Sequence, residues 1–456
     1  RANERLAREY LAWNLVDHDG TETMLRDVSR LPAAHLLRVR PGERPSIERY
    51  WDVKFSDRLD TAPSDREQTI AQFRSLLEET VALHLRSDVP VGSSLSGGLD
   101  SSAIVCLASR ELQRRNAWRE DWQHTFTACF DDPALDERQY AELVARRAGC
   151  HPHFVWPRGE RLREDLERWV WHQEEPVGGA GVYSQYCVAR LASETGVKVL
   201  LDGQGADEQL AGYRKFGVVH VRDLLRRGRY GNALAAAAGL LGRELLQPKI
   251  LDDAWRYLGG TTAGVSQLWP RGDMPERPAA FLLRGSLAER LEQDLRRFSL
   301  PALLRYEDRN SMAFGIEARV PFVDHVVVES IAALAADMKI RNGWTKRILR
   351  DALVRVVPDE IRLRKRKVYF DAPEAAWLRG PLSEWLADTL QETRHLPQIV
   401  DAGAVRHLHL RFTSSRREDS LAALLFRLGM YEAWARRFLE DGASVRLDCP
   451  AIAPNL

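Results

Sequence analysis

Apolar residues recur at helical spacing at Ile70, Phe73, Leu77 and Val81, and His84 continues the row. Ser64-Asp65-Arg66-Glu67 stands just before them with the spacing of a capping box. This predicts an amphipathic helix over residues 65–86. Short apolar runs then predict strands at Val89–Leu95, His124–Phe130, His153–Trp156 and Val197–Leu201. Helical patterns separate them, at 101–113, 136–149, 161–174 and 184–195. Strands alternating with helices predict an α/β fold with a doubly wound, mostly parallel sheet. From about residue 209 strand signals are few. Helical patterns at 224–246, 276–296, 326–339, 345–356 and 419–440 predict a helical C-terminal half packed on the sheet. Residues 443–456 read as a tail, and Cys449–Leu456, with two prolines, as a loose end.

Ligands of such sheets bind at the carboxyl ends of the strands. Two loops fall there. Ser96-Gly97-Gly98-Leu99-Asp100-Ser101-Ser102 follows the first strand of the alternation, and Asp202-Gly203-Gln204-Gly205-Ala206-Asp207-Glu208 follows the last. Adjacent glycines let the backbone turn sharply and approach a ligand closely. The helix start after them offers unpaired N–H groups and the positive end of its dipole, which suits a phosphate. Asp100 and Asp207, one from each loop, form a carboxylate pair for magnesium, with phosphate oxygens and water completing the shell. Helix capping by each aspartate is the competing reading. The G-x-x-x-x-G-K-[ST] pattern does not occur, so this is not the usual kinase-type phosphate loop.

The first loop resembles the pyrophosphate loop of the ATP-pyrophosphatase superfamily. Three further blocks narrow the resemblance. Leu201–Glu208 is similar to the G-E-G-A-D-E signature of asparagine synthetases. Asp308-Arg309-Asn310-Ser311-Met312 and Glu317-Ala318-Arg319-Val320-Pro321-Phe322-Val323-Asp324 resemble that family's D-R-x-S-M and E-A-R-V-P-F-L-D blocks. Lys346-Arg347-Ile348-Leu349-Arg350 and Arg366-Lys367-Val368-Tyr369-Phe370 resemble its C-terminal lysine segments. The blocks occur in family order over roughly residues 85–375, which places the chain within the asparagine synthetase superfamily.

That resemblance implies an adenine nucleotide alpha hydrolase-like fold with ATP and Mg2+ as cofactors. Cleavage would fall between the α- and β-phosphates, giving an acyl-adenylate that ammonia or an amine converts to an amide. It implies that Leu95, the Ala128–Cys129 backbone and Gly203 line the adenine and ribose slot, with Ser96, Gly97, Gly98, Ser101 and Ser102 at the phosphates. It also implies Lys367 as the catalytic lysine and Lys346 as a pyrophosphate contact. A fixed ammonium there stabilises charge that grows in the transition state. The register of Lys367 rests on Lys-Val-Tyr-Phe followed by Pro373, and the family's usual glycine is Tyr369 here.

Gln204 is the main departure. Asparagine synthetases carry glutamate at that position, and a neutral amide can hydrogen-bond an amine but cannot deprotonate it. Either aspartate is amidated by a route that spares this base, or the acid is a different one. Glu317 is the candidate replacement base, against its alternative as a structural ion pair with Arg319. An internal amine, as in lasso-peptide cyclases and β-lactam synthetases, is the rival within the fold. A non-catalytic nucleotide-binding relative is the rival of another class, and an adenylating tRNA-modifying enzyme a third.

Composition changes little in this picture. With 66 Lys+Arg against 65 Asp+Glu the net charge is +1, which gives no reason to expect nucleic acid or an anionic membrane as partner. No apolar run approaches the roughly 18 residues of a membrane span. The five cysteines lack metal-ligand spacing and suit reduced thiols in a cytoplasm. Cys106 and Cys187 fall in apolar helical patterns, as small core residues do.

The chain begins at Arg1 without a signal-peptide pattern. Residues 1–53 resemble the end of the family's N-terminal glutaminase domain and its linker, which makes 54–442 the synthetase-like domain. Leu31–Val39 and Arg49-Tyr50-Trp51-Asp52 carry that likeness. None of the five cysteines matches the catalytic cysteine of that domain, so a glutaminase domain or subunit and free ammonia both stand as sources of the amine. A homodimer is one assembly the sequence leaves open.

Overall fold

The computed structural model describes residues 1–115, 123–244, 264–270, 273–278, 285–365 and 372–440. Five parallel strands form the central sheet: β3 (Val91–Ser94), β4 (His124–Ala128), β5 (His151–Val155), β6 (Val199–Leu201) and β7 (Glu317–Arg319), in the order β5-β4-β3-β6-β7. The register pairs Ser93 with Thr125 and with Leu201, and Leu201 with Arg319. From β3 the chain winds one way to β5, then returns to the other side of β3 as β6. The order therefore reverses between β3 and β6, and the loops leaving their carboxyl ends part to form a crevice.

The four expected strands are present; three are shorter than their apolar runs, and β5 begins two residues before its run and ends one residue short of it. β7 was not expected. It has three residues, two of them charged, and lies at the sheet edge where no alternation can show. In β6, Val199 and Leu201 join the core beneath the helices Pro63–His84, Leu99–Arg114 and Arg138–Ala148, while Leu200 joins Phe126, Val188 and Ile316 on the opposite face. A strand buried on both faces reads as a continuous apolar run, as Val-Leu-Leu does.

The expected capping box does not form. The first long helix starts at Pro63, with Ala62 before it and no side-chain cap. Proline at the first helical position already fixes the entry φ and lacks the N–H a cap would satisfy. In the C-terminal half several single expected helices are broken. The 224–246 pattern splits into Arg214–Arg226 and Tyr230–Glu244 around Gly228, whose φ is 70°. The 326–339 pattern splits into His325–Ala333 and Ala336–Lys339. The 345–356 pattern reduces to Arg347–Ala352, and the 419–440 pattern is 3-10, then α over Ala422–Ala435, then π. Of the 276–296 pattern, Leu287–Gln293 is helical and runs into a π turn, Asp294–Phe298, and 279–284 lie outside the described residues, as does the 443–456 tail.

The packing does not divide at residue 53. The helix Glu4–Trp13 buries Leu6, Tyr10, Leu11 and Trp13 in the same core as Trp377, Leu425 and Trp434. The Tyr10 hydroxyl donates to the Val177 carbonyl at 2.7 Å. By contrast the antiparallel hairpin of β1 (His35–Arg38) and β2 (Ser46–Arg49) stands out from the body, with Leu37, Val39, Ile47 and Tyr50 exposed. No helix among the described residues is long and apolar enough to cross a membrane.

Candidate active site

The crevice between β3 and β6 opens into a cavity of about 400 Å³. Of the expected residues, Leu95, Ser96, Gly98, Asp100, Ser101, Ala128, Gly203, Gln204, Asp207 and Lys346 line it. Gly98 precedes the helix Leu99–Arg114 without any side-chain cap, and Asp100 and Ser101 of its first turn line the cavity, a helix end of the kind that suits an anion. The Ser96 N–H and hydroxyl lie 3.3 and 3.1 Å from the Ser101 hydroxyl and fix the loop. Gly203 has a steric reason: a Cβ there would meet Ser101 N at 2.8 Å. The two loops could not close on each other with any larger residue.

Gly97, Ser102 and Cys129 do not line the cavity. Gly97 has a φ of 70° and backs onto the helix Arg138–Ala148, where a Cβ would come within 2.7 Å of the Tyr140 Cβ. It shapes the turn behind the cavity wall. Ser102 is buried one helical turn inside. The Cys129 N–H donates to the Val155 carbonyl at 2.8 Å, extending the sheet ladder, so it is not available to an adenine. Burial pushes its thiol up to about 12, and those of Cys106 and Cys187 to about 11 and about 12, so these are unreactive core thiols.

Glu317 also lies outside the cavity. It begins β7, at the amino end of the strand, whereas the site is at the carboxyl end. Its side chain is 61% exposed and its carboxylate accepts from Arg319 Nε at 2.7 Å. The structure places Glu317 in the ion pair with Arg319 and away from Gln204. The rest of that block is structural too. Arg319 Nη1 donates to the His84 and Arg86 carbonyls at 2.7 and 2.8 Å, and Asp324 caps the next helix through Val326 N–H.

The carboxyl that does face Gln204 is Glu307. It sits on the helix Leu300–Met312, is 8% exposed, and accepts from Gln185 Nε2 at 3.1 Å and from the Gln204 side chain. Asp202 is its charged neighbour, with one oxygen accepting the Gln204 N–H at 3.0 Å. Burial raises the Glu307 carboxyl well above its usual range; Asp202 adds to the rise and the Gln204 hydrogen bond opposes it. Asp202 is likewise raised, to about 6, first by burial and against hydrogen bonds from Ser94 and the Gln204 and Gly203 N–H groups. Burial and each other's charge therefore both favour the protonated form in this pair of carboxyls.

A signal for Glu307 was present in the sequence. Leu303, Glu307, Asn310 and Ser311 recur at helical spacing and all reach the cavity, while Asp308 and Arg309 of the same block point outward as an ion pair. Asn310 is held by donors from Trp169 Nε1 at 3.2 Å and Gln173 Nε2 at 2.7 Å. Tyr213 and Arg214 also line the cavity without having been expected there.

Lys346 Nζ lies 2.5 Å from Asp100 Oδ2 and 2.6 Å from Asp207 Oδ1. The two loops therefore bring their carboxylates to bear on one cation. That fits magnesium as a minimal carboxylate pair whose remaining ligands come from phosphate oxygens and water. Among the described residues no cluster of three or more His, Cys, Asp or Glu side chains forms an all-protein metal cage. Lys367 lies outside the described residues. Its neighbour Lys365 lines the cavity, with Nζ 5.5 Å over the Trp344 ring.

Comparison with known proteins shows the family. The asparagine synthase family profile matches residues 72–436. A putative glutamine-hydrolyzing asparagine synthetase of Mycobacterium bovis is 31% identical over 407 residues, covering 84% of this chain and 60% of that protein. Glutamine-hydrolyzing asparagine synthetase 1 of Bacillus subtilis is 27% identical over 384 residues, covering 79% and 59%. Amidase chyE of Penicillium rubens is 28% identical over 418 residues, covering 79% and 61%. The chain thus spans about 60% of the length of these relatives. The matched region is the synthetase part, and the chain belongs to the asparagine synthase family.

Proposed function

We propose that the cavity binds ATP with Mg2+ and a carboxylic acid, and forms an amide through an acyl-adenylate. The observation that carries this reading is the meeting of the β3 and β6 loops at the switch point, with an uncapped helix start, two carboxylates on one cation and a buried carboxyl pair beyond them. The Ser96–Ser101 turn and its helix N-terminus orient the β- and γ-phosphates. Asp100 and Asp207 would hold magnesium, which when bound would supply positive charge at the phosphates.

A substrate carboxylate oxygen attacks the α-phosphorus, the bond to the bridging oxygen breaks, and pyrophosphate leaves. An amine then adds to the acyl carbon and AMP departs with the carboxylate oxygen. The amine loses one proton in this step. Glu307 is placed to take it, while Gln204 and Gln185 hold the Glu307 carboxyl by hydrogen bonds. Lys367 is our candidate for stabilising the pentavalent α-phosphate, with Lys365 the next in line.

The neutral Gln204, where glutamate would add a third carboxyl beside Asp202 and Glu307, favours a carboxylic acid other than aspartate. The amine is ammonia or a primary amine, including one carried by the substrate itself. We read residues 1–53 as the end of a glutaminase-type domain, a reading supported by the exposed apolar hairpin at 35–49.

Product analysis tests the proposal. With ATP, Mg2+ and a panel of carboxylic acids and ammonium, chromatography is expected to find AMP and pyrophosphate in equal amounts. ADP with inorganic phosphate would overturn it.

A further inference from the structure

The Lys346 ammonium occupies the point at which the Asp100 and Asp207 carboxylates converge. Its side chain is 5% exposed. The fit around it is tight: a Cβ on Gly212 would fall 1.8 Å from Asp207 Oδ1 and 2.3 Å from Lys346 Cε. The Lys346 backbone lies in the left-handed region, at φ 53° and ψ 39°, disfavoured for any residue but glycine. It is held there by its N–H to the Leu210 carbonyl at 3.1 Å and by the preceding hairpin, Ile340–Arg341 with Trp344–Thr345. The chain thus keeps a strained backbone that delivers an ammonium between two carboxylates.

Charge balance controls which cation the pair can hold. A divalent ion entering beside the ammonium would set three positive charges against two negative ones in a buried pocket. A triphosphate brings about four negative charges, which reverses the balance and gives the ammonium a second place to go. Nζ has the freedom of a four-carbon stem to move from carboxylate to phosphate, whereas the carboxylates sit on short side chains in the first turns of the helices Leu99–Arg114 and Ala206–Gln209.

We propose that Lys346 is a resident counter-ion of the Asp100–Asp207 pair, which excludes divalent metal until a nucleotide triphosphate draws the ammonium away. Metal then enters only with nucleotide, and carboxylates free of nucleotide never hold it. The inference rests on the nucleotide reading of the site, and its test is an equilibrium that needs no turnover.

The free Mn2+ signal in electron paramagnetic resonance is titrated against the chain without nucleotide. Wild-type protein is expected to bind no Mn2+ that depends on Asp100. Lys346→Met is expected to bind one Mn2+ per chain at least about tenfold more tightly, and the double variant with Asp100→Asn to lose it. Lys346→Arg, which keeps the charge, is expected to behave as wild type. If Lys346→Met is poorly folded, circular dichroism with and without Mn2+ gives the same answer, because metal should restore its structure. Asp100-dependent Mn2+ binding by the wild type, or none by Lys346→Met, would overturn the proposal. Either outcome beside intact AMP production would leave the reaction standing, and ADP production would sink the reaction itself.

Discussion

Asp100→Asn and Asp207→Asn are each expected to lower kcat by roughly 10²–10³, the range seen when one preorganised electrostatic contact to a developing charge is removed. Both carboxylates meet the same cation, at 2.5 and 2.6 Å, so they act as one unit. The double variant should therefore be little worse than either single one. The fold should survive, because each single variant still leaves Lys346 one carboxylate partner and keeps the shape of the side chain it replaces. Steady-state kinetics beside thermal denaturation separates the two effects. A rate loss that tracks unfolding, or additive losses in the double variant, would place these residues outside the reaction.

Glu307→Gln is expected to lower kcat by roughly 10²–10⁴, the contribution of a positioned general base. The wild-type rate should rise with pH through a value above the ordinary carboxylate range, since the base works only once it is ionised. Burial first, and then Asp202, sets that value high. The variant should lose this limb of the profile.

Stability should move the other way. A carboxyl whose folded value is raised binds its proton more tightly when folded. Its stabilising effect is therefore present at low pH and is lost as pH rises through the folded value. Above the folded value wild-type protein carries that loss and Glu307→Gln does not, so the variant should melt at a higher temperature at alkaline pH, with the difference shrinking as pH falls. Gln204→Glu is the complementary change. A third carboxyl beside Asp202 and Glu307 should push the rate profile to still higher pH and weaken binding of an acidic substrate. An unchanged profile in Glu307→Gln would assign the proton to another group.

Much of the site was legible because it depends on loops that follow strands. Turn glycines, helix starts and apolar runs are local signals, and together they place Asp100 and Asp207 on one crevice. The choice between Glu317 and Glu307 was not legible in the same way. Glu317 stands in a recognisable block, but which end of β7 it occupies depends on strand register, and β7 is too short and too charged to announce itself. Glu307 is betrayed only by a helical stripe shared with Leu303, Asn310 and Ser311, and its meaning depends on Gln204, more than a hundred residues earlier in the chain. Cys129 illustrates a second limit. Its position at a strand end was readable, but that its N–H is already bonded to Val155 is a pairing fact that no local pattern carries. The Glu4–Trp13 helix illustrates a third: its docking on the C-terminal helices is set by burial across some 400 residues of separation, as the Arg427 bond to the Leu11 carbonyl makes plain.

The central claim is that a substrate carboxylate attacks the α-phosphorus of ATP. Labelling both oxygens of the acid with 18O tests it most directly. During amide formation, mass spectrometry of the products is expected to find one labelled oxygen in AMP and none in pyrophosphate. Label in inorganic phosphate, or AMP free of label while amide is formed, would contradict the account.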